Sequence, residues 1–286
     1  MSKKIETLVD DIYGLFDGSH VFSPESISAF GARLATHLTT RIEEQRGTPT
    51  LRLSGIGQPD RKTWYSINTP ELGEPLTPKT RFKFLIGDLL EELLLFLAAE
   101  SGHDVQGAQD EVEINGVKGH RDAVIDGRIV DVKSASSFGF KKFKEHRLRE
   151  DDPFGYIDQL NSYMVASKGD PLVTDKGIGS FLAIDKTLGH IALDSYFSNG
   201  VDYSSLIERK KEMLAQPTPP DRCYDPVPEG KSGNMKLGVQ CSYCPFKKAC
   251  YPQLRTFLYS TGPVYLTEVV REPKVPELFG SVPDEA

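Results

Sequence analysis

Long apolar runs are absent from this sequence of 286 residues. The longest, Leu93 to Ala99, is far too short to cross a bilayer, which takes about 20 consecutive apolar residues. A secretory signal has an apolar stretch after its basic start, and no such stretch follows Lys3 and Lys4. We therefore expect a cytoplasmic protein with no membrane partner.

An excess of positive charge is also lacking, because 34 Lys and Arg stand against 41 Asp and Glu, for a net charge of −7. This balance argues against a protein that coats nucleic acid through a basic exterior, although a single cleft can still be positive. The apolar share of 38% is ordinary for a globular protein, and the length suits one main domain with additions.

Cysteine is missing everywhere except in one short segment near the C-terminus. Cys241, Cys244 and Cys250 are spaced C-x2-C-x5-C, and Cys223 lies 18 positions upstream of Cys241. Such crowding does not suit a disulfide framework that spans a fold, and it is typical of reduced thiolates around a metal. Four thiolates hold either tetrahedral zinc or a 4Fe–4S cluster, and the spacing leaves both open.

The remaining patterns predict a mixed α/β protein whose central sheet is flanked by helices. Helical periods predict two N-terminal helices, the second beginning at Ser23 and Pro24, and a leucine-rich helix over 80–101. Glycine and proline predict loops over 47–78, and proline and acidic residues predict a frayed end from Glu272. We expect an N-terminal helical region at 1–50, a core at 51–215, a cysteine segment packing on that core at 216–258, and a tail at 259–286.

Two turn signals, Asn115-Gly116 and Asp126-Gly127, predict a three-stranded antiparallel meander. A two-residue turn at Asp126-Gly127 sets Asp122 opposite Asp131, with Cβ atoms roughly 5 Å apart. Lys133, two residues further, points to the same face, and His120 is expected opposite it as a ligand or a hydrogen-bond partner.

Two like charges facing each other are destabilising unless a cation lies between them, and Mg²⁺ or Mn²⁺ is the natural occupant of a site made of oxygens. Such a site with a nearby lysine suits phosphodiester hydrolysis. Asp-Val-Lys alone is a common tripeptide, so the hypothesis depends on the cross-strand Asp122.

These residues resemble a known family of nucleases. Asp122 with Asp131-Val132-Lys133 looks like the D…(D/E)xK signature of the PD-(D/E)XK superfamily. Gly87 to Glu91 resembles the helix-borne first motif of its RecB-like branch, with Glu92 as the rival acid, and Gln159 to Tyr163 resembles the QxxxY motif of that branch. The resemblance implies a restriction-endonuclease-like core. It implies that the catalytic residues are Glu91, Asp122, Asp131, Lys133, Gln159 and Tyr163. It also implies that the metal is bound by Glu91, Asp122, Asp131 and the Val132 carbonyl.

A basic segment follows the lysine, and there Lys141, Lys142, Lys144 and Arg147 are candidates for holding DNA phosphates. Phe138, Phe140 and Phe143 lie among them and are expected to stack bases, although charge runs are most often solvated.

The cysteine spacing resembles that of iron–sulfur nucleases, including the CRISPR-associated adaptation exonucleases, which favours a 4Fe–4S cluster over Zn²⁺. Those relatives take their first cysteine from a segment that looks like Ser54 to Tyr65, and no cysteine is present there. Cys223 then replaces it, or three cysteines act with another group, or the metal is zinc.

Together these features predict a DNA exonuclease, rather than an endonuclease, that processes ends or single strands in recombination, repair or foreign-DNA processing, in a phage or mobile element. A homo-oligomer or a recombination or replication partner is possible. The alternatives are a CRISPR adaptation nuclease, which the missing cysteine and the extra N-terminal helices disfavour, and a non-catalytic DNA-end scaffold of the same fold. A zinc-dependent regulator would need a basic recognition helix, and the sequence offers none.

Overall fold

The computed structural model describes residues 3–43 and 48–279. The chain divides into two compact units, of which the first comprises Met1–Gly57 with Phe82–Glu208 and the second comprises Gln58–Arg81 with Arg209–Ala286. The predicted core at 51–215 is therefore wrong at 58–81 and at 209–215, since both segments group with the C-terminal part of the chain. Residues 44–47 of the predicted N-terminal region and 280–286 of the predicted tail lie outside the described residues.

The helices include two long ones that the sequence predicts, α2 and α4. In chain order they are α1 Leu8–Gly14, α2 Pro24–Glu43, α3 Asp60–Asn68, α4 Pro78–Glu100, α5 Ser137–Lys144, α6 Tyr156–Ala166, α7 Tyr203–Leu214, α8 Val239–Ser242 and α9 Lys247–Cys250. Short 3-10 turns lie at Ile5–Thr7, Leu53–Gly55 and Pro70–Leu72. No helix in the described ranges is long and apolar enough to cross a membrane.

The start of α2 follows from local chemistry, because Ser23 Oγ accepts a hydrogen bond from the amide of Ser26 at 3.0 Å and so caps the helix. The loop predicted over 47–78 is wrong at α3. This helix forms because Trp64 and Tyr65 bury their rings against Phe246 in the second unit, and Trp64 Nε1 donates to the carbonyl of Gln216 at 3.0 Å. Tertiary packing has overridden the glycines and prolines on either side.

The strands form two five-stranded sheets and one separate hairpin. They are β1 Val105–Gln106, β2 Glu111–Ile114, β3 Val117–His120, β4 Ala123–Ile125, β5 Arg128–Ala135, β6 Ile178–Asp185, β7 Ile191–Phe197, β8 Val227–Pro228, β9 Met235–Lys236, β10 Arg255–Tyr259, β11 Gly262–Glu268 and β12 Glu277–Leu278.

The first unit contains a mixed sheet with the order β1-β4-β5-β6-β7, in which β5 and β6 are parallel and the other pairs are antiparallel. One face packs its aliphatic residues against α1 and α4, and the other packs against α5 and α6. This is the predicted mixed α/β architecture, with helices on both sides of the central sheet. The face toward α6 carries Ile129, Asp131 and Lys133, because alternate residues of a strand share a face.

The second sheet, with the order β12-β10-β11-β9-β8, lies in the second unit and overturns the predicted tail at 259–286. Phe257 and Leu266 are buried in it. Arg255 also binds Glu272 and Glu277, at 2.6 and 2.5 Å, so the acidic residues expected to fray at the C-terminus hold β12 in place instead.

Both predicted turns form, and their residues have the positive φ angles that this turn chemistry requires: Asn115 50°, Gly116 77°, Asp126 51° and Gly127 82°. The single meander is wrong. The strand β3 pairs with β2 in its own two-stranded sheet, and β4 pairs with β5. Between them Arg121 buries its guanidinium against Asp110 and Asp170, at 2.9 and 2.6 Å, and this anchor turns the chain away from a continuous ladder.

We expect Gly155→Ala to destabilise the protein. Gly155, at the start of α6, has a φ of 74°, and an added Cβ would lie 2.6 Å from backbone atoms of Gly57. The free energy of unfolding should fall by on the order of 2–3 kcal/mol, measured by urea denaturation. Gly169→Ala is the matched control, because nothing lies within 4 Å of its added Cβ. Equal stability of the two variants would contradict the close approach of the two glycines.

Candidate active site

The β4–β5 hairpin has the predicted register, with Ala123 opposite Val130 and Ile125 opposite Arg128. Asp122 directly precedes β4, and its Oδ2 accepts a hydrogen bond from the amide of Val132 at 2.7 Å. Asp131 is completely buried in β5. The hairpin thus brings the two aspartates together, although Asp122 stands just outside the ladder. The predicted place of His120 opposite Lys133 is wrong, because β3 sets His120 opposite Glu111.

Glu91, rather than Glu92, points toward these aspartates from α4. Glu91 lines the same cavity as Asp122, and its Oε1 accepts a hydrogen bond from Gln109 Nε2 at 2.6 Å. Glu92 instead forms an ion pair with Arg33 of α2 and lies 3.5 Å from His37 Nε2. Consecutive helical residues point about 100° apart, so only one of the two acids reaches the site.

Burial raises the pKa of all three carboxyl groups, and the charge of Asp131 raises the pKa of Glu91 and of Asp122 further. Burial raises the pKa of Glu91 to about 7, and the charge of Asp131 adds to the shift. Burial also raises the pKa of Asp122 well above its ordinary value, helped by Asp131 and Glu91. The pKa of Asp131 is raised by burial and partly restored by Lys133. Like charges and desolvation therefore both act against the ionised site, and both effects would be offset by a cation.

Lys133 and Gln159 fix the buried aspartate from two sides. Lys133 Nζ lies 2.5 Å from Asp131 Oδ2 and 3.4 Å from Gln159 Oε1. Gln159 Nε2 donates to Asp131 Oδ1 at 3.0 Å and lies 3.4 Å from the hydroxyl of Tyr163, one helical turn away on α6. Burial lowers the pKa of Lys133, but Asp131 and Asp122 outweigh it and leave this pKa above its ordinary value. Burial raises the pKa of Tyr163 to about 12.

The donor set is that of a hard divalent cation, since it consists of carboxylate oxygens. Asp131 Oδ2 is buried without a hydrogen bond of good geometry, although Lys133 Nζ is close. Within residues 3–43 and 48–279, however, no three histidine, cysteine, aspartate or glutamate side chains are arranged as a ready ligand cage. The chemistry of the acids fits a metal, and their present positions do not yet form its coordination shell. Val132 is buried in β5 and donates its amide to Asp122.

The cavity wall also contains an arginine and two histidines. His120, a candidate from the sequence, lines it with Arg52, whose Nη2 is 3.5 Å from His120 Nδ1. Arg52, His37 of α2, which lines the cavity as well, and Gln109, which binds Glu91, were missed by the sequence analysis. None of the three missed residues belongs to a recognisable motif, so only the folded chain brings them to the acids.

The predicted DNA-binding segment is only partly available. Phe140 and Phe143 are buried in the core, because α5 presents them to the sheet, and the prediction that they stack bases is wrong; Phe138 is 80% exposed. Several of the cations are paired with nearby acids: Lys141 with Glu145 at 3.6 Å, Lys142 with Asp151 at 2.6 Å and Arg147 with Glu145 at 2.5 Å. Lys144 is exposed at the end of α5.

All four cysteines line one cavity in the second unit. Burial raises the pKa of Cys241 to about 11, and Cys244, Cys250 and Cys223 add to the shift, so the thiols are near one another. Each is a free thiol, and Cys223 is exposed. As for the acids, no three of the described cysteines are arranged as a ligand cage.

The segment that lacks the expected first cysteine borders the same cavity. Pro59 lines it, and Arg61 Nε donates to Cys250 Sγ at 3.3 Å from α3. Lys62 lines the cavity too and acts to lower the pKa of Cys244, although burial leaves that pKa raised. Positive charge near the sulfurs favours thiolates, which are the form that binds metal.

No family model matches the chain, and no curated protein matches it. Among solved structures, one described as the crystal structure of SSO0001 is similar, with a TM-score of 0.42 and 16% identity over 78% of this chain and 96% of that chain. A similarity this weak carries no argument, and the case for function depends on the geometry above.

We expect Asp122→Asn to stabilise the metal-free protein at high pH. The raised pKa of Asp122 means that folding favours its protonated form, so stability is fully present below its unfolded pKa of about 4 and is lost as the pH rises through the folded value. The asparagine side chain stays uncharged as the pH rises, so this loss of stability does not occur, and its carbonyl oxygen can still accept the hydrogen bond of the Val132 amide. Urea denaturation in EDTA should show a gain on the order of 1–2 kcal/mol at pH 8 and little difference at pH 4.

The control for this measurement is Glu150→Gln, an exposed acid whose replacement should change stability little at either pH. A stability of Asp122→Asn at or below that of the wild type at pH 8 would contradict the raised pKa of Asp122 in the folded protein.

Proposed function

We propose that the protein is a Mg²⁺- or Mn²⁺-dependent deoxyribonuclease with a restriction-endonuclease-like core of the PD-(D/E)XK superfamily. The observation that carries this proposal is that Glu91 and Asp122 line one cavity, close enough to the buried Asp131 for the charges to repel, with Lys133 bound to Asp131. Repulsion among carboxylates lowers the stability of the fold, and proteins commonly retain such groups at functional sites. Phosphodiester hydrolysis needs this combination of oxygens for a divalent ion and a cation for the reacting oxygen.

Glu91, Asp122 and Asp131 would hold the ion, with the Val132 carbonyl as a further ligand. The bound ion supplies activation of water and offsets negative charge on the phosphate. The other groups keep the acids in place: the amide of Val132 holds Asp122, Gln109 holds Glu91 and Gln159 holds Asp131.

Lys133 acts as a hydrogen-bond donor rather than as a base. Its raised pKa keeps it protonated at neutral pH, and Asp131 and Gln159 fix its Nζ within the site. It is therefore suited to orient the attacking oxygen and to stabilise the charge that develops on it.

Arg52 and His120 are suited to receive the substrate. Arg52 is exposed on the cavity wall, and a guanidinium matches the oxygens of a phosphate better than a point charge does. DNA is the expected partner, and processing from an end, in recombination, repair or foreign-DNA handling, is the expected mode.

We further propose that Cys223, Cys241, Cys244 and Cys250 hold a 4Fe–4S cluster, with Zn²⁺ as the alternative. The supporting observations are the shared cavity and the cationic residues beside it. To bind either metal, the four thiols have to lie closer together than they do in this structure. Bound metal would tie the short helices α8 and α9 to Cys223 across a segment with little apolar content.

We expect Glu91→Gln and Lys133→Ala each to lower metal-dependent cleavage of end-labelled DNA by about 100-fold or more, because the first weakens the metal site and the second removes the donor to the reacting oxygen. Circular dichroism should show both proteins folded. Glu92→Gln is the matched control, one residue along α4 and bound to Arg33, and it should keep most of the activity. Full cleavage by Lys133→Ala would reject the proposed mechanism, as would equal losses in Glu91→Gln and Glu92→Gln.

We expect Cys241→Ser to reduce the bound metal and to destabilise the second unit before the first, because a lost ligand opens the thiol site. Anaerobic purification should give a wild type with iron, sulfide and an absorbance band near about 400 nm. Ser242→Ala, at the neighbouring position, should retain that band. A colourless wild type with one zinc per chain would replace the cluster by zinc, and a metal-free wild type would reject both.

A further inference from the structure

Two exposed side chains in the loop after α5, His146 and Arg149, are fixed on one strand of the central sheet. His146 Nδ1 lies 2.7 Å from Oδ1 of Asp194, a completely buried residue of β7. Oδ2 of the same carboxylate accepts a hydrogen bond from the hydroxyl of Tyr196 at 2.6 Å. Arg149 Cζ lies 5.3 Å from the centre of the Tyr196 ring, and its Nη2 donates to the carbonyl of Phe197 at 2.6 Å. Asp194 and Tyr196 therefore support both side chains.

The backbone of this loop is fixed as well. The amide of His146 donates to the carbonyl of Phe143 at 3.1 Å and so helps to close the last turn of α5. Leu148 is buried and donates its amide to the hydroxyl of Tyr196 at 3.2 Å. His146 has a φ of 56°, in the left-handed region where glycine is the usual residue after a helix. A histidine is less favourable for this backbone than glycine, and its contact with Asp194 offsets that cost.

The outward sides of His146 and Arg149 keep donor atoms for a ligand. Within residues 3–43 and 48–279, the contacts of His146 involve Nδ1, and those of Arg149 involve Nη2 and the face of the guanidinium. The His146 side chain is 67% exposed, and Arg149 is exposed as well. With both ring nitrogens protonated, His146 donates to Asp194 through Nδ1 and to a ligand through Nε2. The loop thus offers two cationic donors in a defined place.

These donors lie on the same face of the sheet as the buried acid of the candidate active site. Asp131 of β5 is opposite Phe181 of β6, and Phe181 is opposite Asp194 of β7. Two strand spacings of about 4.8 Å place the Cα atoms of Asp131 and Asp194 about 10 Å apart. Successive phosphates of one strand advance about 3.4 Å along the axis of B-form DNA, so this separation corresponds to about three nucleotides.

We infer that His146 and Arg149 bind a backbone phosphate of the DNA strand, a few nucleotides from the phosphate at the carboxylates. This inference rests on the proposed nuclease function. Guanidinium and imidazolium groups donate charged N–H groups to phosphate oxygens, and such contacts fix the register of a strand without reading its sequence. Asp194 and Tyr196 are positioning residues here, because they act through the two side chains that they hold.

The test is a binding measurement in EDTA at pH 6, where no cleavage occurs and an ordinary imidazole is mostly protonated. Fluorescence anisotropy compares single-stranded oligodeoxynucleotides in which a neutral methylphosphonate replaces one phosphate at a time. With the wild type we expect the replacement at one position to weaken binding by about 10-fold. Arg149→Ala and His146→Asn should each abolish this position-specific loss, because the contact that it probes is already gone. Asparagine tolerates the left-handed backbone of His146.

Lys4→Ala is the matched control, since it removes one positive charge from an exposed residue that precedes α1, and it should leave the position-specific loss unchanged. Arg149→Ala leaves both partners of Asp194 in place, so it tests the inference even if His146→Asn fails to fold. No position-specific loss in the wild type, or the same loss in Arg149→Ala, would overturn the inference. A protein that shows the loss but cleaves no DNA with Mg²⁺ or Mn²⁺ would reject the nuclease proposal alone. One that cleaves DNA while both variants keep the loss would reject the phosphate site alone.

Discussion

The buried pair of Asp131 and Lys133 is the constraint on which the site depends. An ionised carboxylate inside a protein is costly unless it is paired and hydrogen-bonded, and here the lysine and Gln159 meet that demand. The pair lies on β5, whose residues Asp131 to Lys133 pair with the parallel strand β6. On the other side the Asp122 side chain accepts the hydrogen bond of the Val132 amide between them. Every other group of the site is placed against this fixed point: Asp122 by the hairpin, Gln159 by α6 and Glu91 by α4.

The two faces of the central sheet have different tasks. The face toward α1 and α4 is packed with aliphatic side chains. The face toward α5 and α6 is packed with aromatic rings and ends in the charged site, so the same layer that stabilises the fold also supports Lys133. Repulsion among the acids and desolvation lower the stability of this end of the sheet, and the apolar layers compensate for it. Functional sites commonly carry such a cost in stability.

The two compact units offer different kinds of metal-binding atoms. The first unit presents oxygens, which suit hard divalent ions, and the second presents sulfurs, which suit zinc or iron. Positive charge on α5 is largely met by acids of the same region, in keeping with a net charge of −7. A broad basic surface is therefore not what would hold DNA. Under the proposed function, contacts within the cavity, such as those available to Arg52, are better suited to hold DNA.

The sequence by itself determined the features that depend on neighbours a few residues apart. The two tight turns, the register of the β4–β5 hairpin, the cap of α2 and the shared face of Gln159 and Tyr163 follow from local turn, strand and helix geometry. Only the tertiary structure decided what depends on distant partners. Contacts of α2 with α4 turn Glu92 away from the site, burial of two aromatic rings makes α3 a helix, and the ion pairs of Arg121 separate the hairpins. These contacts join residues tens of positions apart, and a local pattern carries no information about which distant side chain will meet it.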